Sequence, residues 1–185
     1  AGITQLDDIR TALIDFKKSG KFVYAYGNSV SQGAYYLGSV ADKYYLNPAG
    51  GIELKGLSAE VTFFKSFAEK FGIGIQVIRH GKFKAAVEPF LKDEISPENQ
   101  EQLSTLLNDI WNNTSNKIAT SRNIPAPEFK TITDSLYAYL PNLSLKYKLT
   151  DGLIQKSEYD NLIKKKLKLD NDKKINKISF AKYAN

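Results

Sequence analysis

The chain has 185 residues, of which 42% are hydrophobic and 25% charged, enough to bury one substantial core and too few for several. It contains no run of about 18 apolar residues and no basic leader ahead of an apolar stretch, so nothing in it reads as a membrane span or a signal peptide. With no cysteine and one histidine, disulfides, thiolate metal sites and a cysteine nucleophile are excluded, and a Cys/His zinc site is disfavoured. No cofactor is expected.

The chain also lacks methionine, even at its first position, and so reads as a piece of a longer polypeptide. Residues 1–185 are treated as a single domain fragment. The net charge of +6 is unevenly spread, with eight lysines against four acidic residues from Lys156 to Lys177. Such a stretch could meet phosphates or anionic lipid, although a solvated helix face is the ordinary reason for one. Nucleic acid is not expected as a partner.

"TQLDDIRTALIDFKKSG" predicts a helix with Thr4 as N-cap, a Leu6, Ile9, Leu13, Phe16 stripe and Gly20 as the stop. "KFVYAYG" has strand composition, "SQGAYYLGSVAD" continues as a short helix, and "KYYLNP" is a second strand ended by Pro48. Strand, helix, strand in this order favours a parallel sheet. The unit recurs. "SAEVTFFKSFAEKFG" predicts an amphipathic helix starting at Ser58 and ending at Gly72, and "IGIQVIRHG" the next strand.

Further on, Ser96 as N-cap and Pro97 at the first helical position open a long helix through "SPENQEQLSTLLNDIWNNTSNKIATSRN". Its apolar positions Leu103, Leu106, Leu107, Ile110, Trp111 and Ile118 keep a helical period. "IPAPEF" reads as a loop, "LTDGLI" as a turn, "SEYDNLIKKKLKL" as a helix and "KINKISF" as a short strand.

Chemistry concentrates in "HGKFKAAVEPF". If the chain turns helical after Gly81, Phe83, Val87 and Phe90 point to the core and Lys84 lies in the first turn. There the helix dipole and desolvation by the phenylalanines both lower an amine's pKa. A lysine acting as general base near neutral pH must fall from about 10.4 to about 8, a differential of roughly 3 kcal/mol. The dipole supplies about 0.3 to 1 kcal/mol, so burial must do most of it. Glu88, four residues on, would pull the pKa back up. The catalytic role therefore requires Glu88 to be turned away or paired elsewhere, which Pro89 favours by ending or kinking the helix. An exposed, structural Lys84 is the alternative.

Ser29, Ser31 and Gln32 in "NSVSQGAYYLGS" fall at a strand-to-helix turn, where side chains and backbone amides face a ligand. Ser31 could attack a carbonyl with a neutral lysine taking its proton, but a serine at such a turn more commonly serves only as a helix cap. His80, at a strand end without metal partners, carries no role.

These stretches, together with "SGKFVYAYGNSVSQGAYYLGSVADKYYLNPAGGIELKG", "FFKSFAEKFGIGIQVIRHGKFKAAVEPF" and "SRNIPA", strongly resemble the amino-terminal half of the long form of the signal peptide peptidase A (protease IV) family. The block G-x-[FY]-K-[SA]-A-V-E-P-F is far more specific than a short motif. The resemblance implies an α/β fold of crotonase or ClpP type, with repeated βαβ units, a mainly parallel sheet and flanking helices. It implies a Ser/Lys-dyad serine endopeptidase at the outer face of the bacterial inner membrane that degrades cleaved signal peptides.

By that resemblance Lys84 matches the general-base lysine, and Lys82 a residue without assigned chemistry. The family's nucleophile lies in its second half, in an S-G-G-Y block at the equivalent turn. Here that block reads "SQGAYY", with Gln32 at the matching position. Ser31 is one place early, a rotation of about 100° around a helix. The serine is therefore expected in the carboxy-terminal half, and this chain alone should be inactive. The family's upstream strands and anchor are likewise not in this sequence, which implies an incomplete sheet. Implied partners are signal peptides and other apolar peptides, the carboxy-terminal half, and further copies in a homo-oligomer, by resemblance a tetramer. A non-catalytic scaffold or peptide-binding domain of the same fold is the alternative.

Overall fold

The computed structural model describes residues 2–76, 85–170 and 172–183. The chain divides into two compact units, Ala1–Lys55 with Ile118–Asn185, and Gly56–Lys117.

The first unit opens with α1, Ile3–Lys18. Gly2 is its N-cap, and the Gly2 amide donates to Gln5 Oε1 at 3.1 Å, so the helix begins two positions before the start expected from Thr4. The expected apolar stripe is only partly inward, since Ile9 is 46% and Phe16 44% exposed. Arg10, 3% exposed, takes the central inward place between Leu6 and Leu13. Its guanidinium donates to the Tyr36 carbonyl, to Ser39 Oγ at 2.8 Å and to Ser121 Oγ at 2.6 Å, and lies 4.5 Å from the centre of the Tyr36 ring. A buried cation is tolerated where its donors are satisfied in this way.

β1, Tyr24–Val30, leads through α2, Gln32–Gly38, to β2, Lys43–Ile52. A parallel pair needs such a crossover, because a tight turn can only reverse the chain. A two-residue strand, β3, Gly152–Leu153, pairs with Tyr45 and Leu46, giving an all-parallel sheet of order β1-β2-β3. "LTDGLI" thus contains a strand rather than only a turn. Thr150 Oγ1 donates to the Tyr44 carbonyl at 2.8 Å, and the Tyr44 amide donates to Asp151 at 2.8 Å. These bonds hold the segment against β2.

β2 also runs past Pro48. Gly27 pairs with Leu46 but Ser29 pairs with Gly51, so two residues of β1 face five of β2. The surplus is pushed out as a bulge, where proline costs no ladder hydrogen bond. The core around the sheet contains Tyr35, Leu46, Ile52, Leu54, Ile118, Ile132 and Leu149, each fully buried.

Beyond the sheet, "IPAPEF" enters a helix, α6, Ala126–Asp134, with Pro125 as N-cap. Prolines at the mouth of a helix forfeit only amides that have no intrahelical acceptor. α7, Pro141–Lys146, begins the same way. α8, Lys156–Lys166, starts one residue before its expected position, with the Gln155 amide donating to Glu158 at 2.7 Å. The expected strand in "KINKISF" is absent among the described residues, and the chain instead forms α9, Phe180–Tyr183.

In the second unit only Lys65–Lys70, α3, of the helix expected from Ser58 is helical, ending at Phe71 and Gly72 with φ +69° at the glycine. The Phe64 amide is drawn to the Pro89 carbonyl at 2.6 Å, and the Val61-Thr62 pair has poor helix propensity. Ile73–Gln76 carry no strand, and the rest of "IGIQVIRHG" lies outside the described residues. A 3-10 turn, Ala85–Val87, leads into α4, Glu88–Leu91. α5, Pro97–Arg122, starts as expected, with Ser96 Oγ accepting from the Asn99 amide at 3.3 Å. It belongs to the second unit up to Lys117 and to the first from Ile118. Asn123, at φ +53°, follows its last turn, a position where asparagine is favoured.

Candidate active site

In the first unit the carboxyl ends of β1 and β2 frame an open cavity of about 440 Å³, lined by Asn28, Ser29, Asn47, Ala49, Gly50, Gly51, Glu53 and Tyr139. Ligands of open parallel sheets bind outside the carboxyl ends of the strands. The bulge shapes this cavity. Asn47 Oδ1 accepts from the Ala49 amide at 2.9 Å, while Nδ2 donates to Tyr26 Oη at 3.1 Å and Gln155 Oε1 at 3.3 Å. A Cβ at Gly50 would stand 2.1 Å from the Asn28 carbonyl oxygen, and one at Gly51 2.7 Å from that of Tyr139. Both approaches are backbone to side-chain space, so only glycine fits.

Of the three turn residues singled out from the sequence, only Ser29 lines this cavity. Ser31 is the N-cap of α2, its Oγ accepting from the Ala34 amide at 3.3 Å. Gln32 occupies the first helical position, and its Oε1 accepts from the Lys55 amide at 3.1 Å. In this chain the turn is built from a cap and a bridge. Asn28, Gly50, Gly51, Glu53 and Tyr139 escaped the sequence reading. The "PAGG" run was a usable signal for a bulge, whereas Tyr139 arrives from about ninety residues further along the chain and had none.

Lys84 lies outside the described residues, as do His80 and Lys82. Its described neighbour in sequence, Glu88, is 1% exposed. Glu88 Oε1 accepts from Ser96 Oγ at 2.5 Å and is 3.5 Å from Lys92 Nζ. Oε2 accepts from the Ser96 amide at 3.2 Å and from Asn99 Nδ2 at 3.3 Å. The Ser96 hydroxyl hydrogen bond is the main reason the Glu88 carboxyl lies below its ordinary value, outweighing the burial that opposes ionisation; the Ser96 amide, Asn99 and Lys92 add to it. Oε1 is thus held by Ser96 and by Lys92, just past α4, and Oε2 by Ser96 and Asn99 at the start of α5. A catalytic Lys84 requires Glu88 to be turned away from it or paired elsewhere, and these are the partners of Glu88 among the described residues.

A parallel βαβ sheet with flanking helices and a cavity at its strand ends defines a mixed α/β protein consistent with the ClpP-like fold. The chain belongs to peptidase family S49, which it matches over residues 15–171, and within it to the signal peptide peptidase A or protease IV group. It is 35% identical over 191 aligned positions to Protease 4 of Haemophilus influenzae, covering 99% of this chain and 31% of that protein. It is 33% identical over 164 positions to Protease 4 of Salmonella typhi, covering 85% and 26%. It is 29% identical over 187 positions to the chloroplastic serine protease SPPA of Arabidopsis thaliana, covering 99% and 27%. The chain thus spans between about a quarter and a third of the length of the curated relatives it matches. No helix among the described residues is long and apolar enough to cross a membrane.

Proposed function

We propose that this chain is the general-base-bearing part of a Ser/Lys-dyad serine endopeptidase that degrades cleaved signal peptides. Neutral Lys84 accepts the proton as a serine Oγ bonds to the scissile carbonyl carbon. It then returns a proton to the amine as the C–N bond breaks. Water, deprotonated in turn, releases the acyl group. The serine comes from outside these 185 residues, because Gln32 holds the position of the family's nucleophile and Ser31 is spent on capping α2. Assembly is homo-oligomeric, at the outer face of a bacterial inner membrane.

The observation that carries this reading is the commitment of Glu88 to Ser96, Asn99 and Lys92. These donors, with Lys92 as a second cation, compete for the Glu88 carboxylate and so weaken its hold on a lysine four residues earlier. The test is hydrolysis of an apolar peptide by the assembled enzyme containing this chain and its serine-bearing partner segment. Lys84→Ala and Lys84→Arg should each lower kcat by at least about 10³-fold with assembly unchanged. Retained turnover would instead favour a scaffold or peptide-binding domain, a role with which the structural use of Ser31 and Gln32 also agrees.

A further inference from the structure

A second feature lies in the first unit, on α8 and the segment that follows it. Residues 174–177 approach α8 and border an open groove of about 460 Å³, lined in part by Asn161, Lys164, Lys174, Ile175 and Lys177 around the carboxylate of Asp160. Asp160 bonds Lys156 Nζ at 2.5 Å and lies 3.8 Å from Lys177 Nζ. That single carboxylate interacts with three lysines, Lys156, Lys164 and Lys177, and it lies below its ordinary range chiefly through the Lys156 hydrogen bond. Lys165, Lys166, Lys168 and Lys173 extend the charge along the same stretch, all exposed. Asp170 is taken by Lys173 at 3.0 Å. Glu158 is turned to the Gln155 amide, and Asp172 remains exposed.

Among these lysines stand exposed apolar side chains: Leu167 at 43%, Ile178 at 60% and Tyr183 at 76%. We infer that this lysine-rich surface of residues 156–183 binds the anionic phospholipid headgroups of a membrane surface. Charge complementarity calls for an anionic partner. Two further features choose lipid over nucleic acid. Every basic residue from 156 to 183 is a lysine, a point charge suited to headgroups, whereas arginine is the residue that reads phosphate and base edges bidentately. Among the described residues, the large apolar side chains exposed in this stretch are Leu167 and Ile178 with Tyr183, a set that suits insertion at the headgroup boundary better than base stacking. Tyr159, the aromatic ring of α8, already packs 5.1 Å from the Tyr26 ring and under Lys156.

The test is co-sedimentation of the full chain with vesicles of phosphatidylcholine, with and without about 30% phosphatidylglycerol. Binding should require phosphatidylglycerol and weaken as salt rises. Replacing Lys164, Lys174 and Lys177 together by glutamine should weaken it on the order of 100-fold, at about fivefold per lysine. The same change at exposed Lys18, Lys130 and Lys146 should not. Leu167→Ser with Ile178→Ser should remove the residual binding that persists at high salt. Circular dichroism of each variant checks folding. Equal binding to neutral vesicles, tighter binding to a duplex oligonucleotide, or full competition by inorganic phosphate would each overturn the inference. Hydrolysis of a soluble peptide by the assembled enzyme should be unchanged in the lysine variant, which separates this surface from the peptidase reading.

Discussion

The hydroxyl of Ser96 donates to Oε1 of Glu88 at 2.5 Å while accepting from the Asn99 amide at 3.3 Å. One side chain therefore caps α5 and anchors the buried carboxylate that closes the "KAAVEPF" segment. Ser96→Ala removes the cap and leaves Glu88 with fewer donors. A lost cap costs about 1 kcal/mol and a weakened buried carboxylate about 1 to 3 more. We expect a loss of about 2 to 4 kcal/mol, read from the urea midpoint, with Ser96→Thr recovering most of it.

The same carboxylate sets an acid limit. A group whose pKa is lower folded than unfolded contributes stability that is present above its unfolded value and lost as pH falls through its folded value. Glu88 lies below its ordinary 4.5. Asp42 and Asp151 lie below their ordinary 3.8, although burial opposes it in both: in Asp42 the Lys17 hydrogen bond and Val23 amide prevail, in Asp151 the Tyr44 amide and Arg122. Stability should be flat above about pH 5 and fall below it. In Glu88→Gln the part of that fall due to this residue should vanish. A pH series of denaturation midpoints that is parallel for both proteins would refute the assignment.

At the strand-end cavity, Gly50→Ala forces a Cβ into the Asn28 carbonyl, 2.1 Å away. Backbone has nowhere to yield inside a paired bulge, and overpacking of this kind costs about 1 to 3 kcal/mol. Gly74→Ala meets nothing within 4 Å and should shift stability by less than about 0.5 kcal/mol. Thermal melts of the two variants side by side decide the matter.

Arg10 docks α1. Removing its side chain in Arg10→Ala strips donors from the Tyr36 carbonyl, Ser39 and Ser121 and leaves a cavity beside the Tyr36 ring. We expect a loss of about 3 kcal/mol. Lysine at this position should not restore it, since an ammonium cannot reach three separated acceptors in a plane. Limited proteolysis near Gly20 would report the freed helix.

On the proposed mechanism, a lysine base that works only when neutral predicts that kcat/KM of the assembled enzyme rises with pH through the Lys84 pKa and is lost on its acid side. Lys84→Ala should abolish that limb together with the rate. An unchanged pH profile in a weakly active Lys84→Ala enzyme would assign the limb to another group.

Much of this was legible in the residues. The parallel βαβ order followed from alternating strand and helix signals, and the long helix from Ser96-Pro97, because caps and periodicity are local and act within one or two turns. The specific "GKFKAAVEPF" block pointed to the family that residues 15–171 match. Pairing across the sheet was not legible. Pro48 looked like a stop because a single strand cannot show that its partner leaves room for a bulge. "LTDGLI" looked like a turn because two residues become a strand only when Tyr45 and Leu46 stand beside them.

By itself, then, the amino-acid order determined the parallel α/β class, the start of the long helix at Ser96-Pro97 and the motif carrying Lys84, all encoded in near-neighbour spacing. Tertiary structure alone decided that Arg10 rather than an apolar stripe docks α1, that Gln32 bridges to the Lys55 amide, and that Glu88 is held by Ser96, Asn99 and Lys92. Each of those outcomes is a choice between equally available hydrogen-bond partners. Only packing in three dimensions determines which partner is within reach.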